Sequence, residues 1–378
     1  MAVEIKIVQT RKELKKFIRF ANELYKENKY YTPILELDDL NTFNPKNNPS
    51  LNHCKYILYI AYKDDVIVGR ICGIINEIAN KHWNVKKVRF GWFDFIDDYE
   101  VSSTLLSAVA KWGKEQGMEV MNGPVGFTDF DHQGLLLEGF EYIAPMASLY
   151  NFPYYSKHYD KFGLTKEADW IEYQVSVPDQ IPEKMERVAK IILNKNNLRI
   201  DKIKNSRELM KKYGYSYFDV IDAAYQPLYN FQPLTEEQKI YYSKMYIPLL
   251  NFDFITIVVN EKNEIVGVGI GMPDISAALK KSQGRLFPFG WYHLIKALKS
   301  KHMEVFNLLL IAVRPDYQNK GINSLFFYDQ IPNYKKYGIV KKVLKRCLKM
   351  EGVHNSFFEV ILVDNNTIQK INKEYRNI

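Results

Sequence analysis

The chain has 378 residues, 47% of them hydrophobic and 25% charged, with 52 Lys or Arg against 44 Asp or Glu for a formal net charge of +8. That length exceeds the needs of one ordinary domain and predicts two, each large enough for a core of its own. No stretch approaches the roughly 18 uninterrupted apolar residues of a spanning helix, and the N-terminal MAVEIKIVQTRKELKKF alternates apolar and charged residues where a secretory signal would run apolar, so a cytoplasmic protein with no membrane partner is expected.

In chain order, VQTRKELKKFIRFANELY near the N-terminus predicts an amphipathic helix. ILYIAYKDDVIVGRICGIIN (57–76) joins two apolar runs through a charged Lys-Asp-Asp turn, the pattern of a β-hairpin. VRFGWFDFI (88–96) reads as a strand, YEVSSTLLSAVAKWGKEQGM (99–118) as a helix ending at Gly117, and EVMNGPVGF as a strand running into a turn. After a stretch dense in Gly, Asp and aromatics (123–164), WIEYQVSV predicts a joining strand before a lobe boundary near Pro178. Residues 182–200 and 206–225 have the apolar spacing of two further helices.

FITIVVNEKNEIVGVGIGMP (254–273) then repeats the first hairpin: an offset of 198 brings Val68, Gly69 and Gly73 onto Val266, Gly267 and Gly271. Glycines so placed mark where a neighbouring backbone or a ligand must come close. FNLLLIAV (306–313) is a continuous apolar run too short for a helix and predicts a buried central strand, with a helix beginning near Ser324. The repetition argues for an α/β (α+β) fold built of two copies of one unit, each a mixed sheet flanked by helices. The expected lobes are 1–177 and 178–338, followed by a basic tail, 339–378.

The residues after the last strand carry the chemistry: Val313, Arg314, Pro315, Asp316, Tyr317, Gln318, Asn319, Lys320, Gly321, Ile322, Asn323, Ser324. Pro315 ends the ladder, Gly321 permits positive φ or close approach of backbone to ligand, and the first N–H groups of the next helix, with its dipole, make an anion site. Gln318 and Lys320 can add a side-chain donor and a positive charge. In this order the chain resembles the GNAT superfamily of N-acetyltransferases, whose signature is Gln/Arg-x-x-Gly-x-Gly/Ala after a central strand; the match departs only at Asn323, a residue tolerant of left-handed geometry. The resemblance implies that this turn holds the pyrophosphate of acetyl-CoA or another acyl-CoA, that the strand before it pairs with pantetheine, and that the protein transfers an acyl group to a small amine or amino-terminated acceptor. The alternative is a non-catalytic module of the same fold that binds CoA or another protein.

In the first lobe Asp97-Asp98-Tyr99-Glu100 occupies the equivalent place and would repel a pyrophosphate. The segment 123–164 is similar to part of uncharacterised bacterial proteins built as double GNAT-like modules; either it packs the lobes together, or Asp129, Asp131, Tyr150 and Asn151 line an acceptor pocket between them. No catalytic residue is assigned, Asp274 and Tyr328 being weak candidates for a base. Three distant cysteines (Cys54, Cys72, Cys347) and seven isolated histidines fit neither a disulfide framework nor a metal site.

The tail 339–378 holds eight Lys or Arg against four Asp or Glu, half of the net positive charge. Any nucleic-acid partner would bind there. From Val340 it resembles the N-terminal part of YbeY-type rRNA-maturation endoribonucleases, through Val363-Asp364-Asn365, Ile368, Asn372 and Glu374-Tyr375-Arg376, without that family's zinc-binding histidines. FFEVILV as a further strand and NNTIQKINKEYRN as a last helix is the competing reading.

Overall fold

The computed structural model describes residues 2–174, 181–300 and 305–337, with side chains described to residue 331. The boundary near Pro178 and the tail 339–378, with its competing readings, lie outside the described residues.

The first lobe contains β1 (Glu4–Ile7), α1 (Arg11–Leu24), α2 (Glu36–Thr42), β2 (Cys54–Lys63), β3 (Val66–Asn76), α3 (Glu77–Trp83), β4 (Lys87–Phe95), α4 (Tyr99–Glu115), β5 (Val120–Asn122) and α5 (Tyr154–Phe162). Its sheet has the order β1-β2-β3-β4-β5, antiparallel except that β4 pairs with β5 in parallel, and only over Lys87 to Arg89. The second lobe contains α6 (Glu183–Lys195), β6 (Arg199–Asp201), α7 (Ser206–Tyr213), α8 (Ser216–Tyr225), α9 (Glu236–Tyr246), β7 (Ile255–Val259), β8 (Ile265–Pro273), α10 (Ser276–Ser282), α11 (Gly290–Leu298), β9 (Phe306–Val313) and α12 (Asn323–Tyr337). Its sheet is antiparallel in the order β6-β7-β8-β9.

The repeat read from the sequence is therefore a repeat of hairpin, third strand and following helix: β2-β3-β4-α4 in one lobe and β7-β8-β9-α12 in the other. The first hairpin turns at Asp64 and Asp65 with φ of 52° and 62°, as a two-residue turn between right-twisted strands requires. The shared glycines serve packing, which narrows the sequence reading. A Cβ at Gly69 would lie 2.8 Å from Leu105 Cδ1 on α4, and one at its counterpart Gly267 would lie 3.1 Å from Phe326 Cζ on α12. Their absence lets each helix seat an aromatic or branched side chain directly on the sheet, so the neighbour that comes close is a helix and not a ligand.

Some expected elements differ. The helix expected over 206–225 is two, α7 and α8, because Gly214 takes φ +54° and ends the first. The helix over 182–200 stops at Lys195, Asn197 has φ 51°, and the chain continues into β6. Residues 170–173 join no sheet, so the described part of the expected joining strand is not one. Cys54 and Cys72 are buried and unpaired. Among the described residues no helix is long and apolar enough to cross a membrane, and no group of His, Cys, Asp or Glu is placed to hold a metal.

Candidate active site

β9 hands the chain to a tight turn. The Arg314 N–H donates to Val266 O on β8 (2.9 Å), Tyr317 N–H to Arg314 O (2.8 Å) and Gln318 N–H to Pro315 O (3.2 Å). Asn319 and Gly321 then both take left-handed φ, 60° and 77°. Among the described residues no acceptor meets the N–H groups of Asn319, Lys320, Gly321, Ile322 or Asn323. Successive amides around left-handed residues at a helix start form a concave anion receptor. Ser324 belongs to the turn's own bonding: its N–H and its hydroxyl both donate to Gly321 O, at 3.0 and 2.7 Å.

Side chains in the turn divide between building it and facing outward. Gln318 Nε2 donates to Val313 O at 3.1 Å, and Arg314 makes a two-pronged pair with Asp316 at 2.7 and 2.9 Å. Both shape the turn, in place of the outward-facing donor expected of Gln318. Ile322 is buried beside Leu325 and Phe326. Lys320 lies 4.5 Å above the Tyr317 ring and makes no ion pair among the described residues, leaving its ammonium available to an anion. A Cβ at Gly321 would stand 2.9 Å from Ile192 Cδ1, so this position needs glycine both for its φ and for the approach of α6.

The equivalent region of the first lobe is closed. Asp98 caps α4 by accepting the Glu100 N–H at 2.9 Å, and Lys63 bridges Asp98 and Glu100 at 2.6 and 2.8 Å. Where β4 runs on past β5, Tyr154 donates to Phe95 O and Phe95 N–H donates to the Tyr155 hydroxyl, so two tyrosines of α5 occupy the strand edge. On β9, by two-residue alternation from Arg314, Val313 and Ile311 turn their polar groups away from β8. Gln318 takes the first carbonyl, and the Tyr225 hydroxyl of α8 takes the second at 3.0 Å. The β8–β9 ladder also slips between Ile270 and Gly271, opposite Leu308 to Leu310.

Segment 123–164 lies partly between the lobes. Thr128 Oγ1 and the Tyr242 hydroxyl bond at 2.6 Å, Phe130 stacks on Tyr242 with centroids 4.6 Å apart, and Asp129 accepts the Gln232 N–H at 3.2 Å. Asp131 accepts the Thr128 N–H at 3.0 Å. The other two expected pocket residues are structural. Tyr150 donates to Phe140 O and accepts from Asn28, and Asn151 bonds Leu136 and Phe152 main chain. Both fasten the 135–152 loop inside the first lobe, so their polar atoms are committed to it.

Two carboxylates not expected from the sequence join Asp129 and Asp131. Asp38 and Asp39 of α2 lie near His132, as does Asp131. Burial pushes the carboxyls of Asp38, Asp129 and Asp131 each up to about 6. Asp39 Oδ1 accepts from Trp92 Nε1 at 2.9 Å while its buried Oδ2 has no partner among the described residues, and the Tyr241 hydroxyl on α9 likewise has none. His132 Nε2 bonds Met146 O at 2.9 Å, and Met146 packs in one cluster with Leu35 and Leu309. Asp274 is spent on Ser276 Oγ (2.6 Å) and Asn307, and Tyr328 packs against the α6–α12 core. A Ser102–His158–Asp97 relay (2.7 and 2.9 Å) is no nucleophile site, since Ser102 is wholly buried in α4.

No protein-family model matches the chain. It is similar to the protein YghO of Escherichia coli K12, 27% identical over 315 residues, covering 83% of this chain and 79% of that one. It is also similar to the bacterial ceramide synthase of Caulobacter vibrioides, 25% identical over 316 residues, covering 82% of this chain and 80% of that one. Among solved structures, a tandem GNAT protein from the clavulanic acid biosynthesis pathway aligns over 98% of this chain and 93% of its own, at 9% identity and a TM-score of 0.44. The resemblance to the GNAT signature rests on the turn from Gln318 to Asn323 in this chain. Of the two lobes of this chain, the second has a turn whose amides are unpaired among the described residues, and the counterpart in the first is capped.

Proposed function

We propose that the protein is an acyl-CoA-dependent N-acyltransferase. Acyl-CoA binds in the second lobe, its diphosphate on the amides from Asn319 to Asn323 and near Lys320, with pantetheine running along the outer edge of β9. The amine acceptor enters between the lobes, where Asp38, Asp129 and Asp131 stabilise its ammonium and one of them takes up its proton. The neutral nitrogen then attacks the thioester carbonyl, and the CoA thiol leaves. The observation that carries this reading is the run of amides left unpaired among the described residues in a left-handed turn, beside a first-lobe counterpart whose helix start is capped by Asp98. A carboxyl near 6 suits the proton transfer, because it is ionised at neutral pH and still basic enough to act. The relative named as a ceramide synthase supports an amine acceptor, since ceramide is an amide.

Calorimetric titration with acetyl-CoA, beside a thiol-release assay across small and long-chain amines, tests the proposal. Binding with thiol release is the expected result, and Lys320→Glu is expected to weaken CoA about tenfold through one reversed charge at the phosphate site. Absence of CoA binding defeats the reading. Binding without release for any amine reduces the protein to a CoA-binding module.

A further inference from the structure

The second lobe presents an apolar ridge that the proposed reaction does not use. In α11, Leu294 and its neighbours Ala297 and Leu298 pack inward on the cluster with Met272 and Leu279. The opposite face and the loop before it are exposed: Phe287 is 78% and Phe289 71% accessible, with Trp291 at 45%, Tyr292 at 52% and Ile295 at 45%. Single exposed apolar residues are ordinary; five large ones within nine positions, three of them on one helix face, are not.

Charge along this stretch of the sequence is of one sign. From 275 to 303 the sequence has six Lys or Arg and no Asp or Glu. Arg285 is engaged with Glu36 at 2.8 Å and Lys280 with Lys29 O. Lys281, Lys296 and Lys299 are exposed and have no ion partner among the described residues. On α11 the helical spacing puts Lys299 in line with Trp291 and Ile295, and Lys296 in line with Tyr292. Aromatic side chains backed by lysines along one helix are the chemistry of a lipid headgroup boundary, the rings entering the acyl region and the ammoniums meeting phosphate.

We propose that the loop 285–289 and the outer face of α11 dock the protein on an anionic lipid bilayer. This is contact with a membrane surface, without a span, and it departs from the sequence expectation of no membrane partner. It stands apart from the acyltransfer reading: the ridge has its own readout, and docking needs neither CoA nor acceptor.

The test is co-sedimentation of the full chain with vesicles of phosphatidylcholine alone or mixed with phosphatidylglycerol, in the absence of CoA. Wild-type protein is expected to sediment with the mixed vesicles and to be released by salt. Phe287→Ser/Phe289→Ser, at exposed loop positions that leave the core intact, is expected to lower the partition at least about tenfold by removing two inserted rings. Lys281→Glu/Lys296→Glu is expected to lose the preference for phosphatidylglycerol. Failure of wild type to bind either vesicle overturns the proposal, as does unchanged binding by the double Phe variant. So does a concentration-dependent dimer, seen in the ultracentrifuge, that the Phe changes abolish, because the ridge would then be covered by a second copy.

Discussion

Replacing Gly321 with Ala perturbs the turn on which the proposed function depends, and its cost can be worked from two observations. An L residue held at φ +77° costs roughly 1–2 kcal/mol. The new Cβ would lie 2.9 Å from Ile192 Cδ1, the free end of a flexible side chain that moves aside for about 1 kcal/mol, the low end of overpacking costs. Gly321→Ala should thus lose about 2–3 kcal/mol in urea unfolding. Ile192→Val, which removes the offending methyl, should alone lose about 0.5–1.5 kcal/mol. In the double variant the clash is gone but the strained φ remains, so the combined loss should fall short of the sum by about 1 kcal/mol. At a temperature where all variants are folded, calorimetry should find CoA bound more weakly by the single and double variants that carry Gly321→Ala, and unchanged by Ile192→Val. A Gly321→Ala protein as stable as wild type with unaltered CoA affinity would refute the left-handed receptor.

Arg70 is 1% exposed, pairs with Asp94 at 2.7 Å and donates to Phe17 O and Ile18 O; Arg70→Met should lose about 3–5 kcal/mol in denaturant titration, because a buried carboxylate is left uncompensated. A loss under about 1 kcal/mol would contradict that account of the pair. Thr128→Val leaves the buried Tyr242 hydroxyl without its partner at the lobe junction, for an expected loss of about 1–3 kcal/mol, read as a lower Tm. For Asp131, burial raises the folded carboxyl from 3.8 to about 6, so the folded state binds the extra proton and this group's contribution to stability falls as pH rises from about 4 through 6. Asp131→Asn, which can still accept the Thr128 N–H, should therefore be more stable than wild type at pH 8 by about 1–2 kcal/mol, discounted for partial exposure. That advantage should vanish near pH 4, and equal Tm differences at both ends of the range would contradict the buried carboxyl.

Local pattern made much of the fold legible. The Lys-Asp-Asp turn between two apolar runs implied the first hairpin, and FNLLLIAV matched the bounds of β9, which among the described residues is a largely half-buried edge strand and not the buried central strand expected, because it pairs only with β8. The turn after it was legible because strand end, Pro315 and Gly321 stand within a few residues of one another. What each side chain does there was not legible. Gln318 turns back on Val313 and Arg314 onto Asp316, choices made by distances between atoms close in sequence but set by backbone geometry. The amphipathic helices over 182–200 and 206–225 were read too long, because apolar spacing persists past Asn197 and Gly214 while the backbone reverses there. The Asp38–Asp39 pair carried no signal of its own in a short acidic helix. It acquires meaning only when α2, the 123–134 segment and α9 are folded against one another.

By itself the sequence determined what depends on neighbours along the chain: two copies of a hairpin-strand-helix unit, one ending in a glycine turn and the other in acids. The tertiary structure alone decided which polar groups remain unpaired. Hydrogen-bond satisfaction is a property of space rather than of order: five amides at Gly321 found no partner among the described residues, whereas the corresponding end of the first lobe found Asp98, Tyr154 and Tyr155.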